Sequence, residues 1–179
     1  MKRLFIGVKF SDDVNDYFQT SQLMVEKYCE RANYTRYDNF HLTLRFLGMI
    51  EESKVPEIVQ IIKDLEVQRM KLFFDHIGFF NKKGRYVIYM GCQPAVELTD
   101  YVMKLNDKLV KHLLIEKDEH IYTPHITLCR HSKLLVPLVD ISRGITIERQ
   151  AEILNVTLFE SINVDGTLMY RPLFTRELV

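Results

Sequence analysis

Two short stretches decide how this sequence folds. They read NFHLTLRFLG at residues 39–48 and PHITLCR at residues 124–130, so the order His, apolar, Thr, Leu occurs twice. In a β-strand successive side chains point to opposite faces, so each His shares a face with the Thr two positions on, roughly 6.5 Å along the strand. The intervening residues must then face a core: Leu42, Leu44, Ile126 and Leu128. Each copy therefore predicts a strand that presents an imidazole and a hydroxyl on its polar face.

Three segments around these strands have helical patterns. Apolar residues three or four apart predict helices after Ser11-Asp12-Asp13, from a capping Ser53 through Pro56 to Leu65, and over residues 95–114. The stretch from 131 to about 144 is ambiguous. None of the apolar runs approaches the roughly 18 residues of a membrane span, and the short N-terminal run reads as a strand and not as a signal peptide.

The remaining strand patterns come in pairs. They predict strands at 4–10, 40–47, 72–80, 86–91, 124–130, 153–161 and 168–178, with Gly48 ending the second strand and polar turns at 81–84 and 165–166. Hairpins separated by helices are typical of an α+β fold with mostly antiparallel sheets. A chain of 179 residues can bury a real core, so we expect one domain over 1–179, made of two lobes that share a cleft.

Composition narrows the class of protein. Twenty-four basic residues balance twenty-four acidic ones, which argues against a protein that coats long nucleic acid, because such binding neutralises many phosphates. A nucleotide end remains compatible with this balance. Three cysteines, Cys29, Cys92 and Cys129, include no C-x-x-C spacing and give little support to a disulfide framework or a zinc site. A reducing cytoplasm and a monomer are the expectation.

The paired motif suits chemistry at a phosphate. If the two strands are neighbours across a cleft, two imidazoles and two threonine hydroxyls converge on a small volume. Opening a cyclic phosphodiester requires a base to deprotonate water and an acid to protonate the leaving ribose oxygen, and histidine performs either role near neutral pH. The hydroxyls of Thr43 and Thr127 can donate to phosphate oxygens, and a guanidinium can offset the developing charge. This mechanism requires no metal and no cofactor.

The whole pattern resembles the two-histidine phosphoesterase superfamily, and within it the RNA 2',3'-cyclic phosphodiesterases, also called 2'-5' RNA ligases. The resemblance includes Arg3-Leu4-Phe5-Ile6, both motifs, the hairpin near 85–91, and the closing residues 158–161 and 170–173. It implies a pseudo-symmetric two-lobed α+β fold with one motif in each lobe. It also implies hydrolysis to a 2'-phosphate, with His41 as proton donor and His125 as proton acceptor, and a reverse reaction that forms 2'-5' linkages.

The arginines near the motifs raise a conflict. The resemblance implies that Arg130 contacts substrate, whereas strict strand alternation puts Arg45 and Cys129 on the cleft face and turns Arg130 away. Either the strand twists or ends after Leu128, or Arg130 is structural. Both Arg130 and Arg45 therefore stand as candidate substrate ligands, and a buried, unreactive Cys129 is the simpler interpretation of that thiol.

Other interpretations stay open. The same chemistry fits free cyclic nucleotides, an ADP-ribose cyclic phosphate or a 2'-5' linked oligonucleotide, and a non-catalytic module that binds RNA ends is a third hypothesis. The basic turn at 82–85 is more often a solvated hairpin tip than an RNA contact. The phenylalanines at 73, 74, 79 and 80 are expected in the core, and His76, His112, His120 and His131 are expected to be ordinary surface or core residues.

Overall fold

The computed structural model describes residues 1–113, 115–117 and 120–179, with the side chain of Leu113 left out. Nine strands and four helices occur in this part of the chain. The strands are β1 (Lys2–Val8), β2 (Cys29–Tyr34), β3 (Leu42–Ile50), β4 (Met70–Lys82), β5 (Arg85–Cys92), β6 (His125–Leu134), β7 (Arg149–Ile153), β8 (Asn155–Val164) and β9 (Thr167–Glu177). The helices are α1 (Asp12–Glu26), α2 (Val55–Asp64), α3 (Val96–Leu113) and α4 (Leu138–Gly144).

The strands form one continuous antiparallel sheet in two halves. Its order is β7-β4-β5-β6-β3-β1-β8-β9, with β2 paired to β6 outside this path. The register between β3 and β6 comprises one pair, Leu42 with Ile126, so the two halves diverge from that point. We call β1, β3, β8 and β9 the first lobe and β2 and β4–β7 the second. The predicted α+β fold with mostly antiparallel strands is confirmed.

The helices cover the apolar face of the sheet. Helix α1 packs against β2 and β6, whereas α2 and α3 pack on each other and reach β9 and β3 respectively. Phe18 of α1 is fully buried, with its ring 5.8 Å from Phe40 and 5.3 Å from Phe74, both at T-shaped angles. Phe40 directly precedes His41, so the core beneath the second lobe fixes the start of the first motif. Burying each such ring contributes roughly 1.5–3 kcal/mol.

Several predicted boundaries differ from the structure: β1 covers Lys2–Val8 and not 4–10, and β6 continues to Leu134 beyond 130. Two further differences have identifiable reasons. Gly48 does not end its strand, because β3 continues to Ile50 past a bulge at which the pairing shifts from Phe46–Phe5 to Gly48–Leu4. The φ of Gly48 is +76°, a conformation that glycine adopts without steric cost. Ser53 is not the cap of α2, since it lies in a preceding 3₁₀ turn at Glu52–Lys54.

Three elements were not predicted: β2, β7 and α4. The β2 sequence, CERANY, has few strand-forming side chains, and it is held by pairing with β6. The two expected tight turns are confirmed, since Lys83-Gly84 and Asp165-Gly166 all have φ between +50° and +79°. No helix in the described ranges is long and apolar enough to cross a membrane.

Candidate active site

The two motifs meet where the lobes meet. His41 directly precedes β3 and His125 begins β6. Because Leu42 pairs with Ile126 in antiparallel register, the next positions place His41 opposite Thr127 and Thr43 opposite His125. All four polar side chains therefore lie on one face, and Leu42, Leu44, Ile126 and Leu128 are at most 3% exposed on the other. The structure brings together the four residues that the sequence singled out.

Both imidazoles are anchored in the same way. Nδ1 of His41 lies 2.7 Å from the carbonyl oxygen of Asn39, and Nδ1 of His125 lies 2.7 Å from that of Thr123. A carbonyl only accepts, so Nδ1 donates its hydrogen in both cases. The tautomer is thereby fixed, and Nε2 is the nitrogen left for a substrate. Each ring can accept a proton at Nε2 when neutral and donate one there when charged.

Two aromatic rings flank each imidazole. The rings of Phe5 and Tyr170 lie 4.9 Å and 4.8 Å from His41, and those of Phe80 and Tyr89 each lie 5.1 Å from His125. These contacts restrict rotation of the imidazoles and remove water from their faces.

Burial and nearby cations hold both imidazoles neutral. Burial lowers the pKa of His41 to about 4, and the positive charges of Lys9, Arg130 and a protonated His125 add to this lowering. Burial also lowers the pKa of His125, with a further contribution from Arg130. The carbonyl contacts of Asn39 and Thr123 oppose these effects without cancelling them. A bound anionic phosphate would raise the pKa of both rings.

Arg130 reaches the cleft because β6 is irregular. Pairing with β5 shifts from Tyr89–Thr127 to Ile88–Cys129, so Leu128 is an extra residue on β6 and the alternation of faces breaks there. The expectation from strict alternation is therefore wrong for both residues. Cys129 is fully buried, 3.2 Å from the hydroxyl of Ser132, while Arg130 Nη2 donates to Thr127 Oγ1 at 3.4 Å.

Arg45 borders a cavity beside His125. It lines a cavity of about 800 Å³ together with Thr43, Phe80 and His125. Its Nη2 donates to the backbone oxygen of Glu116 at 2.7 Å, which fixes the guanidinium at the cavity wall. Both candidate arginines thus border the motif face, and Arg130 has the direct contact with a motif residue.

Several site residues escaped sequence reasoning. Lys9 bonds the Asp38 carbonyl and lies close enough to affect His41, and Tyr170 comes from β9, far away in the sequence. Tyr89 was part of a predicted hairpin but had no assigned role. Phe80 also lies at the site, whereas Phe74 is in the core and Phe79 packs against it. Strand alternation gives the sheet faces on which Phe80 and Tyr89 lie. The register of β4, β5 and β6 is also needed to place these two rings beside His125.

The rest of the framework is built to fit these rings. The hydroxyl of Tyr122 donates to the Thr43 carbonyl at 3.1 Å, and the Asn39 side chain donates to the Leu168 carbonyl at 2.9 Å. A Cβ at Gly78 would lie 2.3 Å from the Tyr89 ring. Gly78 therefore provides the space that lets Tyr89 lie beside His125.

Two of the other histidines lie near the motif residues. His76 shares a sheet face with His125, because both pair with Gly91, and its Nδ1 lies 2.6 Å from Asp75. His120 lines the cavity that contains Thr43, Arg45 and His125. His112 lies 3.9 Å from Glu57, and His131 borders a basic surface pocket. Across the described ranges, no three His, Cys, Asp or Glu side chains are grouped to hold a metal ion.

The chain is similar to several known proteins. The model of the AKAP7 2'5' RNA ligase-like domain matches residues 5–136. An RNA 2',3'-cyclic phosphodiesterase of Archaeoglobus fulgidus is 26% identical over 175 residues, covering 96% of this chain and 97% of the relative. One of Thermotoga maritima is 31% identical over 140 residues, covering 72% and 69%. The crystal structure of E. coli LigT complexed with 3'-AMP superposes with a TM-score of 0.80 at 21% identity, covering 99% and 98%.

Proposed function

Since the chain belongs to the AKAP7 2'5' RNA ligase-like family of two-histidine phosphoesterases, we propose that it hydrolyses 2',3'-cyclic phosphates at RNA ends to 2'-phosphates. The observation that carries this proposal is the pair of anchored imidazoles at the lobe junction, each with Nε2 left for substrate. Relatives named RNA 2',3'-cyclic phosphodiesterase support the substrate class.

The proposed reaction uses both rings, with the roles of acid and base that the family resemblance implies. His125 takes a proton from water at Nε2, and the water oxygen attacks phosphorus. The bond between phosphorus and the ribose 3'-oxygen breaks, and His41 gives that oxygen its proton. The products are a 2'-phosphate and a 3'-hydroxyl, with His125 charged and His41 neutral. Proton exchange with solvent restores both rings before the next turnover.

The remaining candidates act on charge. Thr43 and Thr127 donate hydroxyl hydrogens to the non-bridging phosphate oxygens, and Arg130, already bonded to Thr127, offsets their negative charge. Arg45 is assigned a supporting contact from the neighbouring cavity. The same groups serve the reverse step, in which a ribose hydroxyl replaces water and forms a 2'-5' linkage.

We infer that residues 1–179 act as one two-lobed catalytic unit with one motif in each lobe, because the sheet is continuous through Leu42 and Ile126. The expected partners are RNA ends or nucleotides that carry a cyclic phosphate. A monomer in a reducing cytoplasm is the proposed setting, since each lobe of the site comes from the same chain and its three cysteines are free thiols.

The test uses a short RNA that ends in a 2',3'-cyclic phosphate, incubated with the protein in the presence of EDTA. We expect a product heavier than the substrate by one water, assigned as the 2'-phosphate because it co-elutes with a synthetic 2'-phosphate standard and separates from the 3'-phosphate isomer. Replacing either motif histidine, in His41→Ala or His125→Ala, should lower kcat by on the order of 10²–10⁴-fold. His112→Ala, an exposed histidine on α3, is the matched control and should retain full activity.

Three outcomes would contradict parts of this proposal. Loss of activity with EDTA would overturn the metal-free mechanism. An untouched RNA beside rapid turnover of another cyclic or 2'-5' linked nucleotide would overturn the substrate class. Binding of the RNA end that survives both substitutions, without any hydrolysis by the parent protein, would favour a non-catalytic module.

A further inference from the structure

A basic pocket lies at the tip of the hairpin between β4 and β5. Its volume is about 520 Å³, and it is lined by Arg31, Lys83, Arg85, Lys133 and His131 together with small neighbours. Among the described residues that line it there is no Asp or Glu. At its rim, the carboxylate of Glu30 lies 2.7 Å from Lys133. The chain as a whole has a net charge of zero, so this positive charge is a local concentration.

The pocket lies on the same face of the second lobe as the second motif. Along β5, Arg85 shares a face with Tyr89, because the two are four residues apart in a regular strand. Tyr89 contacts His125 and pairs with Thr127. This places Arg85 about 13 Å from Tyr89 along the strand. The pocket is therefore beyond reach of the reacting phosphate but on the same surface.

Arg130 connects the two regions from the neighbouring strand. Asn33 of β2, which lines the pocket, pairs with Arg130, and Arg130 bonds Thr127 of the second motif. A row of cationic and polar side chains thus runs from the catalytic face to the hairpin tip. Such a row follows a chain of phosphates better than it fits one compact anion.

The chemistry of the lining identifies the ligand class. Exposed guanidinium and ammonium groups around a concave surface bind phosphate oxygens by charge-assisted hydrogen bonds, and arginine does so with two bonds at once. An RNA that presents its cyclic end to His41 and His125 has further backbone phosphates on the upstream side only. We propose that the basic pocket binds one of these upstream phosphates; this inference rests on the proposed function.

The consequence is a dependence on RNA length. A cyclic mononucleotide ends at the catalytic face and derives no benefit from the pocket. An oligonucleotide long enough to reach Arg85 and Lys83 is also bound there through its backbone phosphates, and its KM falls. Because only one or two phosphates are involved, the salt dependence remains modest compared with that of a protein that coats RNA.

The experiment measures kcat/KM for substrates of one to eight nucleotides, all ending in a 2',3'-cyclic phosphate. The test variant is Lys83→Gln with Arg85→Gln, which removes two charges from the turn. The matched control is Lys71→Gln with Arg143→Gln, which removes two exposed charges away from the pocket, one of them at the opposite end of β4. Thermal unfolding checks that each variant is folded. We expect kcat/KM of the parent and the control to rise about tenfold with length, and the test variant to show no such rise while retaining mononucleotide turnover.

A binding measurement separates this inference from the proposed function. Fluorescence anisotropy with a labelled octanucleotide that ends in a 2'-phosphate requires no hydrolysis. The slope of log affinity against log salt should become shallower in the test variant by about 0.7 for each phosphate that the variant no longer binds. Equal slopes in parent and test variant, or an equal fall in turnover for mononucleotide and octanucleotide, would overturn the proposal that the pocket binds an upstream phosphate. Absence of hydrolysis with every substrate would overturn the proposed function, and the anisotropy would still decide the pocket.

Discussion

The two histidine environments differ although their frameworks match. Each Nδ1 donates to the carbonyl two residues earlier, and each ring is flanked by two aromatic rings. His41, however, faces Lys9 as well as Arg130, and its pKa is lowered to about 4. His125 borders the large cavity with Arg45, and Arg130 is the cation that lowers its pKa.

This difference bears on the assignment of acid and base. In the ligand-free site the stronger lowering of the His41 pKa favours neutral His41, yet the proposed donor must carry a proton. The negative charge of the substrate supplies the missing effect, because an anion close to both rings raises their pKa. A repeated motif therefore fixes the positions of the rings, and the surrounding charges fix which form each ring adopts.

After replacement of the histidines themselves, the largest expected effect comes from Arg130, the cation that lies near both rings. Arg130→Gln should lower kcat by about 100-fold, since it removes the guanidinium beside Thr127 that offsets transition-state charge. It should also raise the pKa of both histidines, because Arg130 lowers both. Steady-state kinetics over a range of pH measures both changes. Arg143→Gln on α4 is the control, and equal kinetics for the two variants would refute a role for Arg130 in the cleft.

A smaller effect is expected from disturbing one lobe alone. Gly78→Ala would place a methyl 2.3 Å from the Tyr89 ring, which must then move away from His125. We expect kcat to fall about tenfold, as imprecise placement of a catalytic group typically costs that much or more. Gly144→Ala presses on Tyr28 at the same distance, outside the site. If both alanine variants lose activity equally, the ring beside His125 has no catalytic importance.

Acid stability should expose the His41 environment. Its folded pKa of about 4 lies below the ordinary value of 6.5, so between these values the unfolded chain binds the proton and the folded chain does not. The free energy of unfolding therefore falls as pH drops from 6.5 towards 4. His41→Asn should remove this loss and gain about 1 kcal/mol relative to the parent at pH 5, after allowance for partial exposure. The midpoints of urea unfolding at pH 5 and pH 7 measure this gain, with His112→Asn as the control. If the parent and His41→Asn lose the same stability between pH 7 and pH 5, the lowered pKa of His41 is contradicted.

The smallest effect should belong to Lys9. Both histidine pKa values lie below 6.5, so kcat/KM of the parent should peak below pH 6.5 and fall above it as the acid loses its proton. Lys9→Met removes a charge that lowers the pKa of His41 and not that of His125. The limb of the profile that reports the pKa of His41 should therefore move to higher pH by a fraction of a unit. This shift changes kcat/KM on that limb by about two- to threefold. The kcat profile should lie at higher pH than the kcat/KM profile, because bound phosphate raises both pKa values. If both limbs move in Lys9→Met, the prediction that Lys9 acts on His41 alone is contradicted.

The features that depend on local periodicity can be predicted from the sequence of this protein. The alternation of His41, Leu42, Thr43 and Leu44, and of the second copy, was enough to predict two strands with a polar and an apolar face. The stripes of α1, α2 and α3 and the turns at 83–84 and 165–166 followed from side-chain spacing and from the need for positive φ. These features require only neighbours in the chain, which is why they are legible without a structure.

Tertiary structure alone decided the features that depend on strand register. The extra residue at Leu128 turns Arg130 into the cleft and Cys129 into the core, which alternation could not reveal. Tyr170 and Lys9 reach His41 from other segments, and β2 forms only because β6 offers it hydrogen bonds. A bulge or a strand pairing depends on which segments, distant in the sequence, form backbone hydrogen bonds with each other. A local sequence pattern does not contain this information.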